Sequence, residues 1–332
     1  MPALTLASLQ SRAYEHPSDR VALDALKKSK GLDTVVSKLN SWGFERLLRV
    51  ELTGSYLRST PDSFPDVDEL LQRACRTLDV PHAPDLYIGR AGELNAFTAG
   101  VEKPLILVSS EIVEHLSPEE LLFVIAHEVG HIKSGHVLYY QMAEFLPVIV
   151  EVLGAGMMGF EKLLSAGLEF ALLHFKRMAE LTADRAGLLA CQDADVALRT
   201  LMKLAGLPQK YYPSMNTEDF IQQARQFEAM DADKLTMLAK WLSTSGSTHP
   251  WTVMRAQQLL QWVDSRGYEQ VLANPRAEPV HLPAGVAGYC AHCGWPRQGQ
   301  APFCPGCGRS FAVAAPPPLP PPLPPPLPPP LP

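Results

Sequence analysis

The stretch that constrains this chain most is His127-Glu128-Val129-Gly130-His131, an H-E-x-x-H motif set in apolar sequence. Residues four apart lie on one face of a helix, so His127 and His131 can turn ring nitrogens toward a single zinc ion. Glu128, next to the first histidine, can reach a water at such a site. The helix itself is well announced. Ser117-Pro118-Glu119-Glu120 supplies an N-cap serine, proline at the first helical position and glutamate at the capping-box position. Leu121, Leu122, Val124, Ile125, Val129 and Ile132 give the apolar component. The competing reading is an ordinary helix with a chance match, because the motif is short. Catalytic zinc sites take three protein ligands and leave a fourth position for water, so a third ligand must come from elsewhere.

Upstream, residues 1–60 read as a helical region. Ser18-Asp19-Arg20 can open a helix carrying Val21, Leu23 and Leu26, with Gly31 ending it and a second helix following around Leu32, Val35, Val36 and Leu39. Val67, Leu70, Leu71, Ala74, Cys75 and Leu78 then follow helical spacing, which makes Cys75 a core residue. Three short strands precede the motif: Asp85-Leu86-Tyr87-Ile88, a stretch over 95–100, and another over 104–109, with a turn at Gly100 between the last two. An edge strand beside a zinc cleft can hold an extended peptide by backbone pairing; the same sheet can equally serve only as core support.

Residues 145–175 are strongly apolar. Glu151, Glu161, Lys162 and Glu169 interrupt them, and no unbroken apolar run approaches the ~20 residues that span a bilayer. Glu144, Glu151, Lys162, Glu169 and Lys176 fall near one line at about 100° per residue, a narrow polar stripe. Gly154, Gly156, Gly159 and Gly167 argue against one straight helix. A buried helical hairpin or an oligomer contact is the first reading, and peripheral membrane association the second.

Beyond this segment Glu180 and Asp184 are again four apart. A second helix can thus offer one carboxylate to a metal and another to the free ring N–H of a ligand histidine. Flanking Arg177 and Arg185 suit a solvated helix face just as well.

Asn95-Ala96-Phe97, the helical stretch 120–136 and Arg177-Met178-Ala179-Glu180-Leu181-Thr182-Ala183-Asp184, with Thr248-His249-Pro250 downstream, carry a resemblance. On these residues the chain resembles the HtpX and CAAX prenyl endopeptidase family of zinc metallopeptidases, a gluzincin branch. The likeness spans residues 16–270. It implies that His127, His131 and Glu180 bind zinc, that Glu128 is the catalytic base and that Asp184 orients a ligand histidine. It puts the Asn95-Ala96-Phe97 strand at the substrate and Thr248-His249-Pro250 near the cleft. Pro250 biases His249 away from helical backbone, and a projecting imidazole there can support a developing oxyanion. Its rivals are a loop-capping histidine and a latch on the resting zinc. The departure from the family lies in the middle segment, since many members have clear transmembrane helices and residues 145–175 do not read as one.

Near the C-terminus, Cys290, Cys293, Cys304 and Cys307 form two C-x-x-C-G knuckles, the spacing of a structural zinc ribbon over 286–312. His292 then faces solvent, because four thiolates complete the tetrahedron. Residues 313–332 are almost pure proline and leucine, polyproline II or low-complexity sequence. The ribbon and tail are candidate contacts for a protein partner.

The organisation expected is a mostly α-helical α+β chain: a helical region (1–60), a metallopeptidase domain with a small sheet (61–275), the ribbon and the tail. A net charge of −6 argues against nucleic acid as a partner. The first twenty residues show no apolar run after a basic start, and the default location is the cytoplasm. The expected function is a zinc-dependent endopeptidase acting on peptide or protein substrates, with one catalytic and one structural Zn2+. The alternatives are a membrane-associated quality-control protease and a zinc-stabilised interaction scaffold.

Overall fold

In a computed structural model the chain divides into two units, Met1–Pro279 and Val280–Pro332. The structure describes residues 4–28, 32, 36, 43–90, 94–143, 166–229 and 251–276, and the backbone of 286–289 and 296–298. The first unit begins with α1 (Ser11–Tyr14), α2 (Pro17–Lys27) and α3 (Phe44–Ser55), then β1 (Leu57–Arg58) and α4 (Pro65–Thr77). Strands β2 (Asp85–Gly89), β3 (Ala96–Ala99) and β4 (Leu105–Ser109) follow, then α5 (Ser110–His115) and α6 (Pro118–Lys133). After a short helical stretch over 137–143 come α7 (Ala166–Cys191), α8 (Ala194–Leu204), α9 (Thr217–Ala229), α10 (Thr252–Asp264) and α11 (Gly267–Ala273).

All five residues of β4 are buried, as an apolar run requires when a strand is covered on both faces. The sheet order is β1-β2-β4-β3. Strand β4 pairs β2 in parallel, Leu86 against Ile106 and Ile88 against Val108, and pairs β3 antiparallel, Phe97 against Leu107. The pleat alternates the side chains. Leu86, Ile88, Ile106 and Val108 enter the main core with α4, α6 and α7, while Tyr87, Leu105 and Leu107 pack under Leu52 of α3. Strand β3 is left at the edge, beside α6. The β3–β4 turn needs its glycine: Gly100 has φ +83°, and a Cβ there would lie 2.6 Å from the Lys103 carbonyl oxygen. The Glu45 carboxylate accepts the backbone N–H groups of Val101, Glu102 and Lys103 at 3.0, 3.3 and 3.1 Å, so the turn leaves no donor orphaned there.

The expected face of α4 is fully buried, Cys75 included. Helix α6 starts with a complete capping box: Ser117 N–H donates to the Glu120 carboxylate at 2.7 Å, and Glu120 N–H donates back to Ser117 Oγ at 3.4 Å. Helices α6 and α7 approach closely because glycine stands at both contact points. A Cβ on Gly130 would lie 2.5 Å from Ala186 Cβ, and one on Gly187 would lie 2.8 Å from the Phe123 ring.

One boundary differs from the expectation. Helix α2 opens at Pro17 with His16 as N-cap, its imidazole accepting Ser18 N–H at 3.2 Å, and it ends at Lys27 instead of running to Gly31. Proline at the first position and a side-chain acceptor before it outcompete Ser18 as a start signal. Helix α7 begins at Ala166 and includes Gly167, while Gly154, Gly156 and Gly159 lie outside the described residues. Lys176, assigned to a polar stripe, is buried, with its ammonium 4.6 Å from the Tyr140 ring centroid. Leu6, Leu9 and Tyr14 of the N-terminal region sit in the main core with α4, α6 and α7.

No helix among the described residues is long and apolar enough to cross a membrane. Residues 144–165, which carry most of the apolar segment, lie outside the described residues. In the second unit, β5 (Val286–Tyr289) and β6 (Pro296–Gln298) pair antiparallel. Cys290, His292, Cys293, Cys304, Cys307 and the tail 313–332 lie outside the described residues, as does His249.

Candidate metal centre and active site

Helix α6 presents His127 and His131 on one face, and α7 brings Glu180 across from them. His127 Nε2 and His131 Nε2 are 3.2 Å apart, and Glu180 oxygens lie 3.6 and 3.4 Å from them. Ligand atoms about 2.0 Å from a tetrahedral zinc stand about 3.3 Å from one another, so the three fit one ion. All three residues are buried, and they are the one group of this kind among the described residues.

The rest of each side chain is already engaged. His127 Nδ1 lies 3.0 Å from Asp184 Oδ1, and His131 Nδ1 lies 3.0 Å from His136 Nδ1. When both Nδ1 atoms carry hydrogen, two Nε2 lone pairs face each other at contact distance. That repels unless a cation or a proton lies between them. The Tyr140 hydroxyl donates to Glu180 Oε1 at 2.9 Å and fixes the carboxylate.

Asp184 is gripped from behind. Arg255 Nε donates to Oδ2 at 2.8 Å and Nη2 to Oδ1 at 2.5 Å, while Nη1 stands 3.5 Å from Glu180 Oε2. Burial pushes the Asp184 carboxyl up, yet the Arg255 charge and hydrogen bonds outweigh it and hold the group below its usual range. Burial depresses His127, but the Asp184 hydrogen bond and the Glu180 and Asp184 charges reverse this, so its pKa is raised. Burial wins at His131, whose pKa is lowered despite the Glu180 hydrogen bond.

Glu128 lies one residue on from His127 and is tied to the edge strand. Its Oε2 is 2.5 Å from the Thr98 hydroxyl, which also lies 3.2 Å from the Glu128 carbonyl. An open cleft lies over His127, Glu128 and Glu180, bordered by Asn95 and Ala96 and walled by Leu94, Ile112, Phe123, Val124 and Leu204. A second recess is lined by Ala96, Phe97, Thr98, Glu128, His131 and Tyr140. Of the three residues named from sequence, Asn95 borders the first, Phe97 the second and Ala96 both.

Of the residues named from sequence, the fold brings His127, Glu128, His131, Glu180 and Asp184 together. Sequence reasoning missed Arg255, Thr98, Tyr140 and the His136–Asp19 pair. The spacing His131-x-x-x-x-His136 was a legible signal. Arg255 had none, since nothing local marks it off from other arginines.

Residues 61–263 match the description "Peptidase family M48". The chain is 32% identical over 274 residues to the plastoglobule-localized metallopeptidase 48, chloroplastic, of Arabidopsis thaliana, covering 82% of this chain and 78% of the relative. It is 28% identical over 232 residues to protease HtpX homolog 2 of Methanosarcina acetivorans, covering 62% of this chain and 75% of that one. A shorter stretch of 86 residues is 33% identical to protease HtpX of Escherichia coli, 23% of this chain and 29% of the relative. No solved structure matches the chain. The family match takes in both helices that converge on the metal centre together with the edge strand beside it, and on that ground the chain belongs to peptidase family M48 and is a zinc-dependent endopeptidase.

Proposed function

We propose that His127, His131 and Glu180 hold the catalytic zinc, and that Glu128 is the general base and then the general acid of peptide hydrolysis. The observation that carries this is the convergence of three ligand atoms at 3.2, 3.4 and 3.6 Å, with Glu128 beside them. Bound zinc supplies Lewis-acid polarisation of the scissile carbonyl and lowers the pKa of attacking water. Glu128, steadied by Thr98, takes the proton of that water and returns it to the leaving amine. Asp184, locked by Arg255, keeps the His127 ring in its donor orientation. Strand β3 is an edge, so the Asn95-Ala96-Phe97 stretch can pair with an extended substrate through the outward backbone groups of Ala96. The apolar wall of the larger cleft favours an apolar side chain beside the scissile bond.

The finer assignments rest on sequence pattern. His249 supports the developing oxyanion. Cys290, Cys293, Cys304 and Cys307 hold a second, structural zinc, and the ribbon and tail contact a protein partner. The location is cytoplasmic, with residues 145–175 touching a membrane surface or a second copy; fractionation with a carbonate wash checks this.

The central test is metal removal with a site variant. Chelator treatment should abolish peptide cleavage, zinc should restore it, and Glu180→Ala should lose one zinc equivalent. Retention of both equivalents in Glu180→Ala would refute the ligand set.

A further inference from the structure

The second ligand histidine is not held by the face of α6 alone. Gly135, at φ +72°, ends α6 and turns the chain back. His136 N–H donates to the His131 carbonyl at 3.0 Å, and its ring comes to lie beside the His131 ring, 3.0 Å between the two Nδ1 atoms. The other nitrogen, His136 Nε2, is 3.0 Å from Asp19 Oδ2 on α2. The same oxygen accepts the Thr182 hydroxyl at 2.5 Å, and Thr182 Oγ1 accepts His16 N–H at 3.0 Å. Thr182 lies on α7 between Glu180 and Asp184. Asp19 is fully buried and His136 is 1% exposed.

The far end of this chain sets the direction of every bond in it. A carboxylate only accepts, so His136 Nε2 carries the hydrogen. Neutral His136 then has a lone pair on Nδ1, which can only receive the N–H of His131 Nδ1. That leaves His131 Nε2 with its lone pair aimed at the metal centre. His127 reaches the same state by direct contact with Asp184; His131 reaches it through one added imidazole. A buried carboxylate gives up its hydration, and an apolar residue would pack α2 against α7 without that cost. Asp19 also lies upstream of residues 61–263, the region matched to the family.

We propose that Asp19, acting through His136, is a positioning residue that fixes the tautomer and ring orientation of the metal ligand His131, so that the N-terminal helix completes the metal centre. This rests on the ligand set proposed above.

The test uses the full chain and zinc alone. Competition with a chromophoric chelator ranks the zinc equivalents, and the one lost in Glu180→Ala marks the site in question. Asp19→Ala should weaken that equivalent by about 10- to 100-fold, the usual effect of removing an outer partner of a ligand histidine. Asp19→Asn should recover most of the affinity, because its amide oxygen still accepts from His136. The double variant Asp19→Ala, His136→Phe should bind no more weakly than His136→Phe alone. Unchanged zinc affinity in Asp19→Ala, or losses that multiply in the double variant, would overturn the proposal. If Asp19→Ala does not fold, nitrogen NMR of the wild-type histidine rings decides. The zinc-loaded protein should show His136 with hydrogen on Nε2 and His131 with hydrogen on Nδ1; the reverse tautomers would overturn it. Should Glu180→Ala lose no zinc, the ligand set fails; should Glu180→Ala lose it while the Asp19 variants keep it, only the role of Asp19 fails.

Discussion

Arg255 and Asp184 form a two-pronged ion pair, 2.8 and 2.5 Å, that lies wholly inside the protein behind His127. The guanidinium also stands 3.5 Å from Glu180. One cation on α10 thus compensates both carboxylates that α7 delivers to the metal centre.

Removing that cation leaves two buried carboxylates short of charge. Arg255→Met should destabilise the metal-free protein by about 3–5 kcal/mol, the cost of breaking a buried pair on one side. The loss should be smaller with zinc bound, because the ion neutralises Glu180. Denaturant unfolding with and without zinc checks both, and an equal loss in the two forms would contradict the shared role of Arg255.

Glu128 touches Thr98 and lies beside the ligands without being one of them. Glu128→Gln should keep full zinc content and lose turnover by at least about 10²- to 10⁴-fold, the scale of a lost general base. Its amide oxygen still accepts from Thr98, so the edge strand should stay in place. Elemental analysis together with cleavage kinetics separates binding from chemistry; loss of zinc in this variant would count against the assignment.

Gly130 and Gly187 let α6 and α7 meet at a distance no larger residue allows. A Cβ at Gly187 would lie 2.9 Å from the Phe123 carbonyl oxygen as well as against its ring. Gly187→Ala and Gly130→Ala should each cost about 1–3 kcal/mol through overpacking. Each should also weaken zinc, because the two histidines and Glu180 ride on opposite sides of that seam. A variant with lowered thermal stability and unaltered zinc affinity would show that the seam and the metal centre are uncoupled.

His16 gives an acid-side dependence separate from the metal. Burial and the Arg185 charge push its pKa down to about 3, against a Gln258 hydrogen bond that raises it. Its Nδ1 caps α2 by accepting Ser18 N–H, which needs the neutral ring. The unfolded chain takes up a proton near its ordinary value of about 6.5. Between those values the unfolded state binds more protons, so stability is complete above about pH 6.5 and falls as pH drops, by about 1.4 kcal/mol per unit. His16→Asn keeps an acceptor for the cap and does not titrate. Between pH 7 and 4 the wild-type stability should therefore fall more steeply than that of the variant; parallel curves would disprove the depressed pKa.

Local pattern alone determined the motif helix, its capping box, the three strands with the glycine turn, and the pairing of residues four apart on α6 and α7. Each follows from interactions within one or two helical turns or one strand, where spacing fixes direction. Glu180 was found on that basis only as one of two readings, since a carboxylate four residues from another also suits a solvated face; in the fold it is buried against His127 and His131. Thr98 is 30 residues from Glu128 and Arg255 is 71 from Asp184, and threonine and arginine carry no spacing rule that points to a distant carboxylate. His136 stood at a readable interval from His131, but its meaning depends on Asp19, which only the packing of α2 on α7 brings to it. Sequence periodicity fixes which face of an element is buried. Which buried polar groups meet is set by the tertiary arrangement, because a buried charge is tolerable only where another element supplies its partner.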